Sequence, residues 1–416
     1  MRNFAILNLA LLLLCANCTN PQKKSEEDTP ADGNIKELAI MKNLSDTKKV
    51  NLSSIASSID YCILETDKKC LIGLDMKYYC TKEYVVVIGG RQNQEKCFLF
   101  ERKTGNFIRE ISRRGQGPGE FTEVINTFWD NNNEQICVWY HPHYIFLNLD
   151  GTISHRINRN EHPLFTWGTI AYGEYYVKYI NNSSGNENKR IVFLDRTGTL
   201  VDSIPNYRTW EKTRSTRGRS IYQNYLHVCG DELYYADIFS DTLFLIKDFT
   251  LQPSYIFNTD GHTLPYEVQD GIPRYNIIES VLEGEVLKDQ WKQYLVLDNI
   301  FQSSKKIFMT FDYQTKRYPV IYDKKDDILQ IMPPISIPLP VRDYKIPFYG
   351  LENDLDGGLP FWPLQIISDD EMMYVYTAEE LLELDASKIT DEKLKNVLNT
   401  IDEDNNPVVV IVTLKN

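Results

Sequence analysis

Short apolar segments separated by polar turns recur along the chain at a spacing of about 47 residues, a length that suggests a repeat. Clear copies lie at 98–100 (FLF), 145–147 (IFL) and 192–194 (VFL), and a glycine-containing turn follows each copy. A repeat of this length is typical of radial β-architectures, because a unit of about four strands buries its faces only against neighbouring units. The pattern therefore predicts an all-β fold of the β-propeller class.

Strand-rich units follow one another at about 69–111, 125–157, 166–204, 222–257, 296–332 and from 343 onward. Two segments break the strand pattern: 266–295 has apolar residues at a helical spacing, and 377–400 opens with a Thr377/Glu380 capping box. The last apolar run, 407–414 (PVVVIVTL), predicts a buried strand that closes the ring by pairing with N-terminal material. We therefore predict a six-bladed β-propeller with helical insertions near 266–295 and 377–400.

The N-terminus resembles a bacterial lipoprotein signal. Arg2 precedes the apolar segment 4–14, which is too short to span a bilayer, and the segment runs into Cys15 and Cys18. Because small and polar residues directly precede Cys18, we predict lipidation there; Cys15 and a plain secretory signal are the alternatives. The predicted domains are a lipoprotein signal peptide at 1–17, a flexible tether at 18–49 and the propeller at 50–416.

The predicted tether is polar and carries a charged cluster at 23–28 (KKSEED). Such a cluster resembles the signal that sends lipoproteins of some Gram-negative bacteria to the outer face of the outer membrane. A merely soluble linker has a similar composition and is the alternative. We predict an outer-membrane lipoprotein, exposed at the cell surface and attached to the membrane through its lipid.

The chain is acidic, with a formal net charge of −13 at pH 7. Nucleic-acid binding needs a basic surface, so we predict no nucleic-acid partner. The basic run 208–219 is either a solvated loop or a loop that contacts anions. The cysteines after the signal have irregular spacing, and a disulfide is left open within one group of them: Cys62, Cys70, Cys80 and Cys97.

Common catalytic motifs are missing from the sequence, which has no GxSxG elbow, HExxH helix or Walker loop. Asp354 and Asp356 suggest a calcium loop, but an EF-hand register would place Pro363 where the bidentate glutamate belongs. Turn capping by these carboxylates is favoured, a Ca²⁺ site of another type is the alternative, and no other cofactor is predicted. His141 and His143 lack a second cluster of ligands, so no metal site is predicted.

Three glycine- and proline-rich segments carry a resemblance to a known family. They are 113–121 (RRGQGPGEF), 353–363 (NDLDGGLPFWP) and 404–407 (DNNP). Together they resemble the six-bladed β-propeller lipoproteins of Gram-negative gut bacteria, which are related to NHL and TolB-like propellers. The resemblance covers about 50–416 and implies the fold. It implies no catalytic residue, because members of this family mostly lack an assigned function.

The connections between blades are expected to gather around the channel of a propeller and to form its binding surface. Their aromatic and charged residues suit sugars or extended peptides, although each tryptophan has packing between blades as its alternative. We predict a non-catalytic, membrane-tethered binding or scaffold protein with a glycan, peptide or outer-membrane transporter as partner. The alternative is a propeller hydrolase or lyase that acts on a glycan or ester. The candidate ligand-binding residues are Arg113, Arg114, Glu120, Trp129, His141, Trp167, Trp210, Asp354, Asp356 and Trp362.

Overall fold

The computed structural model describes residues 35–91, 93–117, 119–162, 168–182, 185–209, 224–266, 292–336, 348–385, 387, 389 and 391–415. Within these ranges the strands form six separate sheets, and each sheet contains at least four hydrogen-bonded strands. The prediction of a six-bladed β-propeller is therefore confirmed. The described part of the chain has no helix that is long and apolar enough to cross a membrane.

The first three blades are regular four-stranded antiparallel sheets, each made from one continuous segment of chain. The first blade contains β3 (Met76–Cys80), β4 (Tyr84–Gly89), β5 (Lys96–Glu101) and β6 (Phe107–Arg113). The second contains β7 (Asn126–Asp130), β8 (Gln135–Tyr140), β9 (His143–Asn148) and β10 (Ile153–Asn158). The third contains β11 (Thr169–Tyr172), β12 (Tyr175–Tyr179), β13 (Lys189–Leu194) and β14 (Leu200–Pro205).

The remaining blades recruit additional segments. The fourth contains β15 (Asn224–Cys229), β16 (Glu232–Asp237), β17 (Thr242–Lys247) and β18 (Thr250–Phe257), with β1 (Lys36–Leu38) parallel to β18. The fifth contains β19 (Val296–Gln302), β20 (Lys306–Tyr313), β21 (Lys316–Asp323), β22 (Ile328–Ile331) and β23 (Ile335–Ser336). The sixth, here called the closing blade, contains β24 (Gln365–Ser368), β25 (Glu371–Tyr376), β26 (Val408–Leu414) and β2 (Ala56–Ile63).

The first strand of each blade lies innermost, around a central channel. At five of the six boundaries between blades, the first strands of the two neighbouring blades contact each other. At the sixth boundary, Lys77 of β3 donates a hydrogen bond to Asn126 of β7 at 2.8 Å. We call the side on which the inner strands begin the upper face, and the opposite side the lower face. Because the strands of a blade alternate in direction, the upper face carries the connections between blades and the turns between second and third strands.

The repeat seen in the sequence corresponds to the third strands β5, β9 and β13 and the turns after them. Each turn contains a glycine with positive φ: Gly105 at +76°, Gly151 at +89° and Gly198 at +90°. At Gly105 a Cβ atom would lie 1.8 Å from the carbonyl oxygen of Ile63. Glycine is therefore required both by the left-handed backbone and by the close approach of the neighbouring blade.

The closing blade joins the two ends of the described chain. β26 pairs with β25 on one side and with β2 on the other, where Val408 lies opposite Ile63. Val408, Val409 and Val410 are completely buried. The predicted closure by a buried C-terminal strand is confirmed.

Apolar side chains fill each boundary between neighbouring blades. At the boundary of the fifth and closing blades the apolar cluster also includes residues of α3 (Ala378–Leu382) and α4 (Glu392–Thr400). Thr377 and Glu380 form the predicted capping box at the start of α3. The insertion near 377–400 is therefore helical as predicted, whereas 267–291 of the other predicted insertion lies outside the described residues.

Two predicted boundaries are wrong. The first blade, predicted to begin at about residue 69, begins at β3, because the segment before β3 serves as the connection from the closing blade. The tether was placed at 18–49, yet β1 pairs with β18, and α1 (Ile40–Asn43) follows it with Ile40 completely buried. A second short helix, α2 (Leu52–Ile55), leads into β2. The packed part of the chain therefore begins before residue 49.

Candidate functional site

The glycine-rich connection between β6 and β7 lies on the upper face and folds around one carboxylate. Glu120 accepts a hydrogen bond from the backbone N–H of Gly117 at 2.8 Å, and Arg113 Nε lies 3.7 Å from the same carboxylate. A Cβ atom at Gly115 would lie 1.8 Å from Glu120 Oε2. Glu120 therefore shapes the loop, and the absence of a side chain at Gly115 makes room for it.

Arg114 is held at the edge of a cleft of about 490 Å³ on this face. Its guanidinium Nη1 lies 3.4 Å from Glu95 Oε2, and its backbone N–H donates to the Glu95 carbonyl at 2.9 Å. The Arg114 side chain is 36% exposed, whereas the Glu95 side chain is 6% exposed. The buried carboxylate therefore orients a guanidinium that still faces solvent. The cleft is lined by Gly90, Glu95, Arg114, Thr122, Glu123, Val124 and Ile125.

Several other predicted candidates do not join this cleft. Trp129 stacks on Tyr79 with ring centroids 6.5 Å apart, inside the boundary of the first two blades. Trp362 is 5% exposed and packs edge-on against Phe308 at 5.8 Å. Packing between blades therefore accounts for both side chains.

His141 lies on the upper face, exposed in the turn between β8 and β9. Among the described residues no group of three metal-ligating side chains is present. Trp167 and Trp210, two further candidates, lie outside the described residues. Of the predicted candidates, the structure brings together Arg113, Arg114 and Glu120.

Asp354 and Asp356 hold the connection between the fifth and closing blades. Asp354 accepts hydrogen bonds from the backbone N–H and the hydroxyl of Ser53 at 2.8 and 2.5 Å. Asp356 accepts from the Tyr61 hydroxyl at 2.7 Å and from the Gly358 N–H at 2.8 Å. Burial raises the pKa of Asp356, and the hydrogen bond from Tyr61 opposes that rise. Asp356 therefore caps its own turn through Gly358, which is the local role that the sequence favoured, whereas Asp354 joins its loop to Ser53, which is distant in sequence.

A buried charge cluster between the third and fourth blades was missed by the sequence analysis. Asp237 is the last residue of β16, on the upper face. Its carboxylate lies 2.6 Å from the guanidinium of Arg190 and 3.3 Å from that of Arg208. The Tyr235 hydroxyl oxygen lies 3.2 Å from the same carboxylate. Burial by itself would raise the pKa of Asp237, but the guanidinium groups of Arg208 and Arg190 lower it below its usual value. The carboxylate is therefore held ionised.

A second buried cluster lies at the upper end of the fifth blade. Arg317 contacts Asp298 and donates to Asp312 at 2.9 Å. Asp298 lies where the register between β19 and β20 shifts, and a bulge of this kind turns a side chain toward a new partner. Burial raises the pKa of both carboxyl groups, and the guanidinium opposes the rise.

Neighbouring residues at the start of β15 link the two clusters, because alternate side chains of a strand face opposite blades. Asn224 accepts a hydrogen bond from Tyr235, whereas Tyr225 donates to the Asp298 carbonyl at 2.6 Å. The polar network thus runs across three blades beneath the upper face. The charges of this network neutralise one another beneath the surface, whereas the Arg114 side chain faces an open cleft.

Six sheets arranged around a channel define a six-bladed β-propeller. The chain belongs to the family described as a domain of unknown function, DUF4934, which matches residues 35–413. No curated protein matches the sequence.

Two solved structures from Bacteroides are similar to this chain. One is a Bacteroides fragilis protein whose name describes it as exported, with 17% identity and a TM-score of 0.65 over 89% of this chain and 98% of that chain. The other is a Bacteroides vulgatus member of the DUF4221 family, with 12% identity and a TM-score of 0.48 over 86% and 97% of the two chains. At this level of identity the first likeness shows a shared fold.

Proposed function

We propose that this protein is an exported, membrane-tethered propeller that binds a glycan or peptide without catalysis at the Arg114 cleft. The observation that supports the proposal most is the orientation of Arg114 by the buried Glu95. A guanidinium that is fixed before binding loses little conformational freedom when it meets a ligand. Glu123 in the same cleft adds an acceptor for hydroxyl or amide donors.

The cleft dimensions agree with this proposal. Its volume of about 490 Å³ falls within the usual range for small-ligand sites, so it would hold a few sugar units or peptide residues. Val124 and Ile125 supply apolar surface beside the charged groups. A mixed surface of this kind suits sugar rings and extended peptides.

Binding would be tested by screening glycan and peptide arrays with the wild-type protein and with Arg114→Ala. We expect Arg114→Ala to weaken the strongest interaction about tenfold or more, as for loss of a charged hydrogen bond. Because this change also leaves the buried Glu95 without its partner, the melting temperature should fall, and affinities are compared at a temperature where both proteins are folded. Arg156→Ala, at an exposed arginine of the second blade, is the matched control and should bind normally. If Arg114→Ala keeps full affinity for every ligand found, the cleft is not the binding site.

The proposed tether is a lipid on Cys18, at the outer membrane and exposed at the cell surface. The support is the apolar segment 4–14 followed by small and polar residues before Cys18. Cys18→Ser should move the protein from the membrane fraction to the soluble fraction, whereas Cys15→Ser should leave it attached. The reverse result would assign the anchor to Cys15. Protease treatment of intact cells would test exposure at the surface.

A further inference from the structure

A second cleft, of about 610 Å³, opens on the lower face between the first blade and the closing blade. Two turns of the first blade supply its cations: Lys82 lies between β3 and β4, and Arg102 and Lys103 lie between β5 and β6. The closing blade supplies Glu371 and Asp60. The floor contains Ile411 and the buried Cys62. This cleft is on the side of the molecule opposite Arg114.

In this lower cleft some charged side chains form ion pairs and others do not. Arg102 donates to Glu371 at 2.6 Å and to the Thr81 carbonyl at 2.9 Å, and its side chain is 12% exposed. Asp60 pairs with Lys393 of α4 at 2.8 Å. Lys82 and Lys103 are exposed, and within the described part of the chain no ion pair engages either of them.

Two unneutralised cations thus stand at one cleft of a protein whose formal net charge is −13. Positive charge in a concave site attracts an anionic ligand, even when the protein as a whole is negative. Arg102 is already oriented by its two partners, so its remaining N–H groups point in a fixed direction. The cleft volume lies within the range of small-ligand sites.

We propose that the lower cleft binds an acidic sugar. Its carboxylate or sulfate group would lie between Lys82 and Lys103, and its hydroxyls would donate to Glu371 and Asp60, whose carboxylates accept hydrogen bonds. The apolar face of the ring would rest on Ile411. This site is independent of the Arg114 cleft, and the two sites would let one propeller hold different ligands on its two faces.

Isothermal titration of the full chain in mild detergent tests the chemistry of the ligand. The probes are glucuronic acid, N-acetylglucosamine 6-sulfate and the neutral N-acetylglucosamine. We expect one or both acidic sugars to bind at least about tenfold more tightly than the neutral sugar, and to weaken as NaCl is raised. The carboxylated and sulfated probes distinguish the two kinds of acidic group. Equal binding of the neutral sugar, or no binding of any probe, overturns the proposal.

Variants locate the site. Lys82→Ala and Lys103→Ala should each weaken binding about threefold, and the double variant about tenfold, without a change in melting temperature. Lys316→Ala, at an exposed lysine on the upper face, is the matched control and should bind normally. Arg114→Ala should also bind normally, which separates this proposal from the function proposed for the upper face. Unchanged affinity in the double variant would overturn the assignment.

Two further probes exclude other ligand classes. Inorganic sulfate reports simple anion binding, and triglutamate reports recognition of acidic peptides. Both should bind more weakly than the acidic sugars, because neither presents ring hydroxyls to Glu371 and Asp60. If either binds as tightly as the better sugar, the cleft is an anion or peptide site and the proposal fails.

Discussion

The Arg190 guanidinium lies 2.6 Å from the Asp237 carboxylate and so ties the third strand of one blade to the second strand of the next. The Arg190 side chain is 15% exposed and the Asp237 side chain 4%. Arg190 also lies over the ring of Tyr235, 5.0 Å from its centroid. One side chain thus combines an ion pair and an aromatic contact at a single blade boundary.

Replacing Arg190 should therefore destabilise the whole ring. In Arg190→Ala, Asp237 keeps the longer ion pair with Arg208 but loses the shorter one, so a buried carboxylate is left under-compensated. We expect a loss of about 3 kcal/mol in the free energy of unfolding, measured by urea denaturation. Arg156→Ala removes an exposed arginine and should change this energy little. Equal urea midpoints for the two variants would contradict the structural role of the pair.

Closure of the ring should depend on β26. Deleting 407–416 leaves β25 and β2 without their common partner, and we expect aggregation through the exposed strand edges. A milder change, Val410→Ala, should cost about 2 kcal/mol, because Val410 is completely buried. Val201→Ala, at a valine that is 49% exposed, serves as the control. A soluble deletion protein with the wild-type melting curve would show that closure lies elsewhere.

Gly119 should tolerate a side chain poorly. Its φ is +84°, and a Cβ atom would lie 3.4 Å from the Gly151 carbonyl oxygen. Gly119→Val should therefore cost at least about 1 kcal/mol, because a β-branched residue is disfavoured at positive φ. Gly73→Ala is the control, since a Cβ atom there would have no other atom within 4 Å and the φ of Gly73 is not positive. Calorimetric melting of both variants gives the comparison, and a Gly119→Val melting temperature equal to that of Gly73→Ala would refute this expectation.

His227 should make stability fall in mild acid. Burial lowers its pKa to about 4, the hydrogen bond with Gln302 opposes that shift, and Lys324 adds to it. In the unfolded chain the imidazole is protonated as the pH falls below about 6.5, whereas in the folded protein it is protonated only near pH 4. The free energy of unfolding therefore decreases as the pH falls between these two values. The loss should reach about 3 kcal/mol near pH 4.

The variant His227→Gln isolates this contribution. Its amide can still donate to Gln302 Oε1, which lies 3.1 Å from His227 Nε2, but it cannot be protonated. Urea unfolding between pH 7 and 4.5 should give a smaller decline for His227→Gln than for wild type. Parallel pH profiles would show that His227 does not titrate abnormally.

The fold could be predicted because each of β5, β9 and β13 has the same local pattern of apolar strand and glycine turn. The loop at 113–121 could be singled out for a similar reason, since its glycines and charges are neighbours in sequence, and its role in binding stays a prediction. Trp129 and Trp362 pack between blades, which was the alternative left open for each tryptophan, because a tryptophan beside a turn does not reveal which face of the sheet it covers. The partners of Asp237 come from two blades, so no spacing in the sequence brings them together.

The pairing of β2 with β26 has a consequence for the biogenesis of the protein. These strands come from opposite ends of the described chain, so the ring lacks a complete closing blade until β26 has been synthesised. Contacts between such distant segments form slowly. For the exported protein proposed above, this order of strands would delay closure of the ring until the whole chain is available.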